Sequence, residues 1–457
     1  MIQSRRAFMA SATAAALSAY AARAQAVQQG QVPAARGFVD GPSRNEVFGY
    51  GPMRADPEGI LDLPEGFSYR AISCAGQRMD DGLVTPDKFD GMGCFTIDAD
   101  RVALVRNHEL DQEEANLGAF ARPDQDDDFN WDRIYGRQSD GAPVAGGTST
   151  VIYNLRTGQT ERQHLSLAGT NNNCAGGITP WGSWLTCEES VLKPDGRINK
   201  EHGYVFEVPA SATGPVDPVP LKAMGRFNHE AACVDPATGA VYLTEDRDDG
   251  LLYCYVPRVK GRLAEGGTLH ALALEGHGDT RNWDGPAIVP QSWHGVRWVT
   301  LDNPEAPDDD LRKRGAAMGA TLFARGEGIW MGDGELYFAC TSGGAAKLGQ
   351  IFRLRPQSSG QDRLQLFYES TSIEQYNFGD NLTVGPNGHL VVCEDQYTEN
   401  VQNHLRGITP DGVAYPLALS RTDTEWAGAC FSPDGRTLFV NLYRPAKTVA
   451  ITGPWMG

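Results

Sequence analysis

Apolar residues along this chain fall in short runs broken by tight polar turns, and one unit recurs six times. Each copy is an apolar strand, a turn carrying Gly, Pro or Asp, and a second apolar strand, the alternation expected of paired β-strands rather than helices. The copies are residues 91–109 (GMGCFTIDADRVALVRNHE), 174–189 (CAGGITPWGSWLTCEE), 230–246 (EAACVDPATGAVYLTED), 328–344 (GIWMGDGELYFACTSGG), 380–395 (DNLTVGPNGHLVVCED) and 427–442 (AGACFSPDGRTLFVNL). Turn glycines Gly182, Gly239, Gly334, Gly388 and Gly435 lie 57, 95, 54 and 47 residues apart. Spacings near 50 between paired strands are those of propeller blades, so the pattern predicts an all-β, six-bladed β-propeller with loop insertions. A β-sandwich or an irregular all-β chain is the plainer alternative. The 95-residue gap predicts an insertion over about 261–313, holding Trp283, Trp293 and Trp298. Trp131 and the acidic run 124–128 mark a second, smaller one. No linker divides the rest, so residues 61–457 read as a single propeller domain, preceded by an extension over 27–60.

The first 26 residues read as an export signal rather than as fold. Ser4-Arg5-Arg6-Ala7-Phe8-Met9 is a twin-arginine pattern, a mild apolar stretch runs from Ala10 to Ala22, and Ala24-Gln25-Ala26 supplies small residues for cleavage. The expectation is export by the twin-arginine machinery to the periplasm or the medium, a route that carries folded, cofactor-loaded proteins. Composition agrees with that setting. With 40 Lys+Arg against 58 Asp+Glu the net charge is −18, and losing Arg5, Arg6 and Arg23 would make it −18 − 3 = −21. Such acidity argues against a nucleic-acid partner, because a phosphate backbone needs a basic face. No run of about 18 apolar residues follows the leader, so no membrane-spanning helix is expected. The chain is read as a monomer.

Polar residues gather where the predicted strands end. Second strands finish in Asn107-His108-Glu109, Glu188-Glu189, Glu245-Asp246 and Glu394-Asp395; first strands begin beside Cys174, Asn228-His229-Glu230, Arg325-Gly326-Glu327 and Asp380-Asn381. In a propeller these ends converge on the central channel. Carboxylates brought so close repel one another and raise one another's pKa unless a cation neutralises them. Oxygen-rich clusters suit Ca²⁺. For any one carboxylate a solvated turn is the simpler reading, and it is the recurrence that points to metal. Of nine cysteines, most sit inside apolar strands and read as small buried hydrophobes; Cys74 has no such context. Cys174 differs, lying between Asn171-Asn172-Asn173 and Ala175-Gly176-Gly177, where a thiolate would favour a transition metal. His108, His229, His277 and His294 read as hydrogen-bonded turn residues. There is no G-x-S-x-G, H-E-x-x-H, P-loop or EF-hand pattern.

Several blocks are similar to a known family. Leu63-Pro64-Glu65-Gly66-Phe67, Arg106-Asn107-His108-Glu109, Cys174-Ala175-Gly176-Gly177-Ile178-Thr179-Pro180-Trp181-Gly182, Leu185-Thr186-Cys187-Glu188-Glu189, Gly203-Tyr204-Val205-Phe206-Glu207, Gly225-Arg226-Phe227-Asn228-His229-Glu230 and Phe323-Ala324-Arg325-Gly326-Glu327 occur in the order of the PhoX family of secreted alkaline phosphatases, which this chain resembles from about residue 61 to 442. The resemblance implies a six-bladed propeller holding iron(III), Fe(III), with several Ca²⁺ ions at one channel end. It implies Cys174, Glu230 and Glu327 at the iron, and Glu109, Glu188, Glu189 and Glu394 at calcium, with Asp380 and Asn381 as weaker candidates. It further implies Arg325 as the arginine that holds substrate phosphate. Arg325, Cys174 and Glu230 are thus the expected catalytic residues, and Arg325 and Asn173 the expected substrate contacts. Gly326 stands where the family pattern has proline, and the chain is shorter than many members.

The expected function is metal-dependent hydrolysis of small phosphomonoesters, releasing inorganic phosphate outside the cytoplasm. Bound cations would neutralise the phosphate and supply the nucleophile, while Arg325 would grip two phosphate oxygens. Two other classes remain: a calcium-dependent lactonase or phosphotriesterase of propeller type, and a non-catalytic exported propeller stabilised by metal.

Overall fold

The computed structural model describes residues 49–121, 129–358, 360–396 and 402–455. The leader, most of the 27–60 extension and the acidic run 124–128 lie outside the described residues. In chain order the strands are β1 (Met53–Arg54), β2 (Leu61–Pro64), β3 (Ser68–Cys74), β4 (Phe89–Thr96), β5 (Arg101–His108), β6 (Gly146–Asn154), β7 (Gln159–Thr170), β8 (Asn173–Ile178), β9 (Ser183–Glu188) and β10 (Val205–Pro209). They continue as β11 (His229–Val234), β12 (Val241–Glu245), β13 (Leu252–Pro257), β14 (Gly267–Leu274), β15 (Trp293–Leu301), β16 (Gly326–Met331), β17 (Leu336–Cys340), β18 (Gln350–Arg355) and β19 (Arg363–Glu369). The last are β20 (Gly379–Val384), β21 (Leu390–Glu394), β22 (His404–Ile408), β23 (Ala414–Ser420), β24 (Trp426–Phe431), β25 (Thr437–Leu442) and β26 (Lys447–Thr452).

All six repeat units form antiparallel hairpins, β4/β5, β8/β9, β11/β12, β16/β17, β20/β21 and β24/β25. Their strands are buried on both faces, as β11, β12 and β25 are throughout. That is why they read as near-continuous apolar runs: each sheet stacks between two neighbours and neither face meets water. The first strands pack on one another in a closed ring, β4 on β8, β8 on β11, β11 on β16, β16 on β20, β20 on β24 and β24 back on β4. The arrangement is all-β and propeller-like.

Six separate blades are not what the hydrogen bonding gives, and the expectation is corrected on that point. Four sheets stand alone, with orders β4-β5-β6-β7, β8-β9-β10, β24-β25-β26-β3 and β1-β2-β23-β22-β21-β20. The remaining nine strands form one nearly closed, barrel-like sheet, β11-β12-β13-β14-β15-β19-β18-β17-β16. The insertion is the cause. It adds β15 outside β14, and residues Trp293–Gly295 of β15 then pair with Arg363–Gln365 of β19. Two outer edges that would each have been exposed are thereby joined.

The ring is closed by the two ends of the chain: β3, near the start, pairs with β26, near the end. Part of the predicted extension also joins the fold, since β1 pairs with β2 and β2 with β23. Tyr50, Phe67, Trp455 and Tyr415 pack edge to face beside them. Among the described residues no helix is long and apolar enough to cross a membrane.

Candidate metal and phosphate site

One irregularity recurs in all six first strands. The register against the second strand slips between Phe89 and Met92, Asn173 and Gly176, His229 and Ala232, Gly326 and Ile329, Gly379 and Leu382, and Ala427 and Cys430. Three steps on one strand oppose two on the other, so each hairpin carries a bulge at its start. A bulge kinks the strand and re-aims a side chain that a regular ladder would have turned into the sheet stack. The first residues within these bulges are Asp90, Cys174, Glu230, Glu327 and Asp380, and the sixth holds Gly428.

Glycines and seam hydrogen bonds draw the bulges together. A Cβ on Gly91 would lie 2.6 Å from Ala175 Cα, on Gly328 2.7 Å from Asn381 Cα, and on Gly428 2.4 Å from Asp90 O, so neighbouring backbones touch where only glycine leaves room. Side chains from the second strands clamp the bulge carbonyls. Asn107 donates to Cys174 O and Ala175 O, Thr244 Oγ1 to Glu327 O at 2.6 Å, and Asn441 to Asp90 O at 2.6 Å.

Two donor groups result, each with ligand atoms within 4.8 Å of one another: Cys174, Glu189 and Glu230, and Glu230, Glu327 and Asp380. Glu230 belongs to both. Beside them Arg325 lies with Nε 2.7 Å and Nη2 2.9 Å from the two oxygens of Asp246, and Nη2 3.0 Å from Glu327 Oε1. Arg325 has φ of 54°, left-handed backbone that a side chain adopts only under constraint. Its amide donates to Arg247 O at 2.9 Å and its carbonyl accepts from Thr341 at 3.0 Å, which fixes that conformation. Asn172, also left-handed at 54°, bridges Glu109 Oε1 at 2.8 Å and Glu189 Oε2 at 2.9 Å. Tyr443 donates to the other oxygen of Glu109.

The electrostatics are those of crowded acids. Burial, then Glu327, Asp380, Glu189 and Asp90, push the Glu230 carboxyl well above its ordinary range. Glu327 is raised by burial and by Asp246, against the opposing pull of Arg325. Asp380 is raised by burial and Asp395, and the Cys174 thiol by burial and Glu230. Asp246 goes the other way: burial raises it, but Arg325, Arg247 and a hydrogen bond with Glu189 together hold it below its ordinary value. Acids packed like this are stable only if protonated or neutralised by cations. The donor set of one thiol with several carboxylates fits cations of two kinds, and Asp90 points the same way: it is 5% exposed and its Oδ1 has no hydrogen-bond partner.

Sequence reasoning thus gathers Cys174, Glu189, Glu230, Glu327, Asp380 and Arg325 in one place, with Glu109 tied to Glu189 through Asn172. Four other candidates do not join. Glu188 is fully buried and accepts from His202 Nδ1 at 2.6 Å, from the amides of Asn171 and Gly203 at 2.8 Å each, and from that of Tyr204 at 3.2 Å. Glu394 accepts from Arg406 Nε at 2.7 Å, the His404 amide at 2.8 Å and the Asn377 amide at 3.0 Å. Each is a hydrogen-bond hub inside its own sheet. Asn173 is occupied as well, its Oδ1 by Thr170 at 2.6 Å and its Nδ2 by Thr186 at 2.9 Å. Asn381 Oδ1 accepts from the Gly428 amide at 2.7 Å, a seam contact. Residues that the sequence did not single out are Asp90, Glu425 and Tyr443, each pushed up by burial and by the neighbouring charge of Glu109. Asp90 could have been found: it precedes Gly91 as Glu327 precedes Gly328.

Fold and site together define a propeller-like β-protein with an acid-lined, cation-ready pit and one anchored arginine. The family model described as Alkaline phosphatase PhoX matches residues 48–131 and 128–446, and the chain belongs to that family. It is accordingly an alkaline phosphatase, a hydrolase of phosphomonoesters. Among solved structures it is similar to Pseudomonas fluorescens PhoX in complex with vanadate, a transition-state analogue, at 20% identity and a TM-score of 0.66, covering 86% of this chain and 96% of that one. Weaker likenesses add nothing to the assignment. One is a gluconolactonase, XC5397 of Xanthomonas campestris, at 13% identity and a TM-score of 0.38, covering 85% and 98%. Another is a protein of unknown function from Dyadobacter fermentans, at 8% identity and a TM-score of 0.43, covering 84% and 99%. No curated protein matches the chain.

Proposed function

We propose that the pit carries out phosphomonoester hydrolysis with Fe(III) held by Cys174, Glu230 and Glu327, and Ca²⁺ held by Glu109, Glu189 and Asp380, with Asp90 as a further calcium ligand. The observation that carries this reading is the sharing of Glu230 by two donor groups, one containing a thiol and one made of carboxylates alone. Bound there, the cations would offset the charge of the phosphate dianion and provide an oxygen nucleophile at a pH where free water is inert.

The chain's own residues do the rest. Asp246 holds the Arg325 guanidinium by two hydrogen bonds and fixes its plane, so the arginine meets phosphate already oriented rather than losing rotamer freedom on binding. Its contact with Glu327 sets the phosphate-holding group beside the iron group. Asn172 and Tyr443 hold the Glu109 carboxylate in one orientation. The vanadate bound by the Pseudomonas relative supports a site shaped for a phosphoryl group. Export through the twin-arginine route and a periplasmic or extracellular address belong to the same proposal and rest on the Arg5-Arg6 leader; a monomeric state is proposed with them.

The test is elemental analysis of the exported protein together with turnover of a simple phosphomonoester. Iron and calcium in each chain, with a thiolate-to-iron absorption band that Cys174→Ser abolishes, are expected. Full iron content and an unchanged band in Cys174→Ser would remove the cysteine from the metal. Calcium without iron, and lactone or phosphotriester turnover in place of monoester turnover, would favour the lactonase-type reading.

A further inference from the structure

Close to the Arg325 backbone the insertion presents a tryptophan under a lysine. Trp283 is half-buried, with Nε1 donating to Ser342 O at 2.7 Å. Ser342 follows Thr341, whose amide donates to Arg325 O. A second line of contacts reaches the same place: Arg281 Nη1 donates to Asp248 O at 3.1 Å, and Arg247, next to Asp248, accepts from the Arg325 amide. The insertion is therefore fastened to both strands of backbone that hold the phosphate-gripping arginine.

Two cations lie against the indole, Arg281 at 4.5 Å and Lys347 at 4.8 Å from its centroid. They differ in what else they do. Arg281 is committed to Asp279, at 2.5 Å. Lys347 is exposed and, among the described residues, has no carboxylate within ion-pair distance. Its backbone is left-handed at 54°, as is that of Asn282 at 56°. Asn282 shows why the loop is rigid: its Oδ1 accepts from the amides of Ala287 and Ile288, while its Nδ2 donates to Ile288 O and, at 2.7 Å, to Glu369. Gln350 donates to the same Glu369 oxygen at 2.9 Å. Strained backbone held this firmly is a feature of ligand-clamping loops. A cation kept over an aromatic face in a chain of net charge −18, on a loop fastened through Ser342 and Thr341 to the backbone of Arg325, has an evident use.

We propose that Lys347, seated on Trp283, is a specificity-determining residue that receives an anionic group, a carboxylate or second phosphate, carried by the alcohol half of the phosphomonoester. This rests on the phosphatase reading above. The matched probes are glycerol 2-phosphate, with a neutral leaving alcohol, and glycerate 2-phosphate, the same skeleton with a carboxylate. The readout is the ratio of their kcat/KM values, glycerate over glycerol. Lys347→Ala should lower that ratio about three- to fivefold, the upper range for one solvent-facing ion pair. Lys347→Glu should lower it further, and Lys347→Arg should restore it. In the wild type the ratio should shrink as salt rises, because the Debye length falls from about 30 Å at 0.01 M to about 3 Å at 1 M. A ratio that stays the same in Lys347→Ala and Lys347→Glu, or a drop that Lys347→Arg does not reverse, would overturn the assignment. Failure of the wild type to hydrolyse either ester would instead overturn the phosphatase reading, and this inference with it.

Discussion

Gly328→Ala tests how the strands bring the site together. Gly328 lies in the bulge of β16, and a Cβ there would stand 2.7 Å from Asn381 Cα and 2.8 Å from Asp380 O. Both are backbone atoms, so no side chain can swing aside. Regaining ordinary contact at 3.4 Å requires β16 and β20 to part by roughly 0.7 Å (3.4 − 2.7), since a close-packed interior offers no slack. Glu327 precedes Gly328 and Asp380 precedes Asn381, and these two share a donor group with Glu230. Metal–ligand distances tolerate only about 0.2 Å, so the displacement exceeds the tolerance more than threefold. The overpacking itself should cost about 1–3 kcal/mol. A misplacement approaching 1 Å at a reacting centre is worth on the order of 10²-fold in rate. The assay is elemental analysis, thermal melting and kcat/KM on one preparation, with Gly214→Ala as control. A Cβ on Gly214 meets nothing within 4 Å, and its stability should stay within about 0.5 kcal/mol of the wild type. Unchanged metal content, melting temperature and kcat/KM in Gly328→Ala would refute the claim that glycine contact at the strand seam sets the site.

Glu188→Gln should lower the melting temperature, by about 1–3 kcal/mol of stability, because an amide would face donors that now point at a carboxylate; metal content should stay whole, and loss of metal without loss of stability would return Glu188 to the ligands. Arg325→Lys should reduce kcat/KM by about 10- to 100-fold while metals remain bound, since an ammonium cannot reproduce the planar fork that Asp246 aligns; an unchanged value would end its phosphate role. Glu394 predicts a pH effect. Burial raises its pKa, but Arg406 and His404 outweigh that and hold the carboxyl below its ordinary value, so its contribution is present above the unfolded pKa and lost as pH falls through the folded one. Denaturant titrations from neutral to acid pH should show a shallower fall in Glu394→Gln; identical slopes would place the acid sensitivity elsewhere. Prolonged chelation should abolish turnover and lower the melting temperature together, because the acids of the pit would then face one another without a counter-charge; full activity after verified metal removal would contradict the metal requirement.

Much of the fold was written in local pattern. The six hairpins, the insertion after Gly239 and the all-β class follow from runs of apolar residues and from turn glycines, signals that need no long-range information. The ligand-type residues were legible for the same reason, since Cys174, Glu230, Glu327 and Asp380 occupy one repeat position. What the sequence alone could not tell was which polar strand ends face the axis. Glu188 and Glu189 are neighbours, yet one ends β9 sealed among backbone amides and the other, just past the strand, belongs to the Cys174 group. Asn172, left-handed just before β8, reaches Glu109 and Glu189, whereas Asn173, the first residue of β8, bonds within its own sheet.

The chain's pattern by itself determined its strands, its repeats and the donor chemistry available to it, all set by neighbours within a few residues. Tertiary structure decided the rest: the joining of two units through β15 and β19, the bulges that turn five donor side chains toward one pit, and the glycine contacts that set their separation. Those depend on how strands hundreds of residues apart pack around a common axis, and close packing between backbones leaves no trace in local hydrophobic pattern.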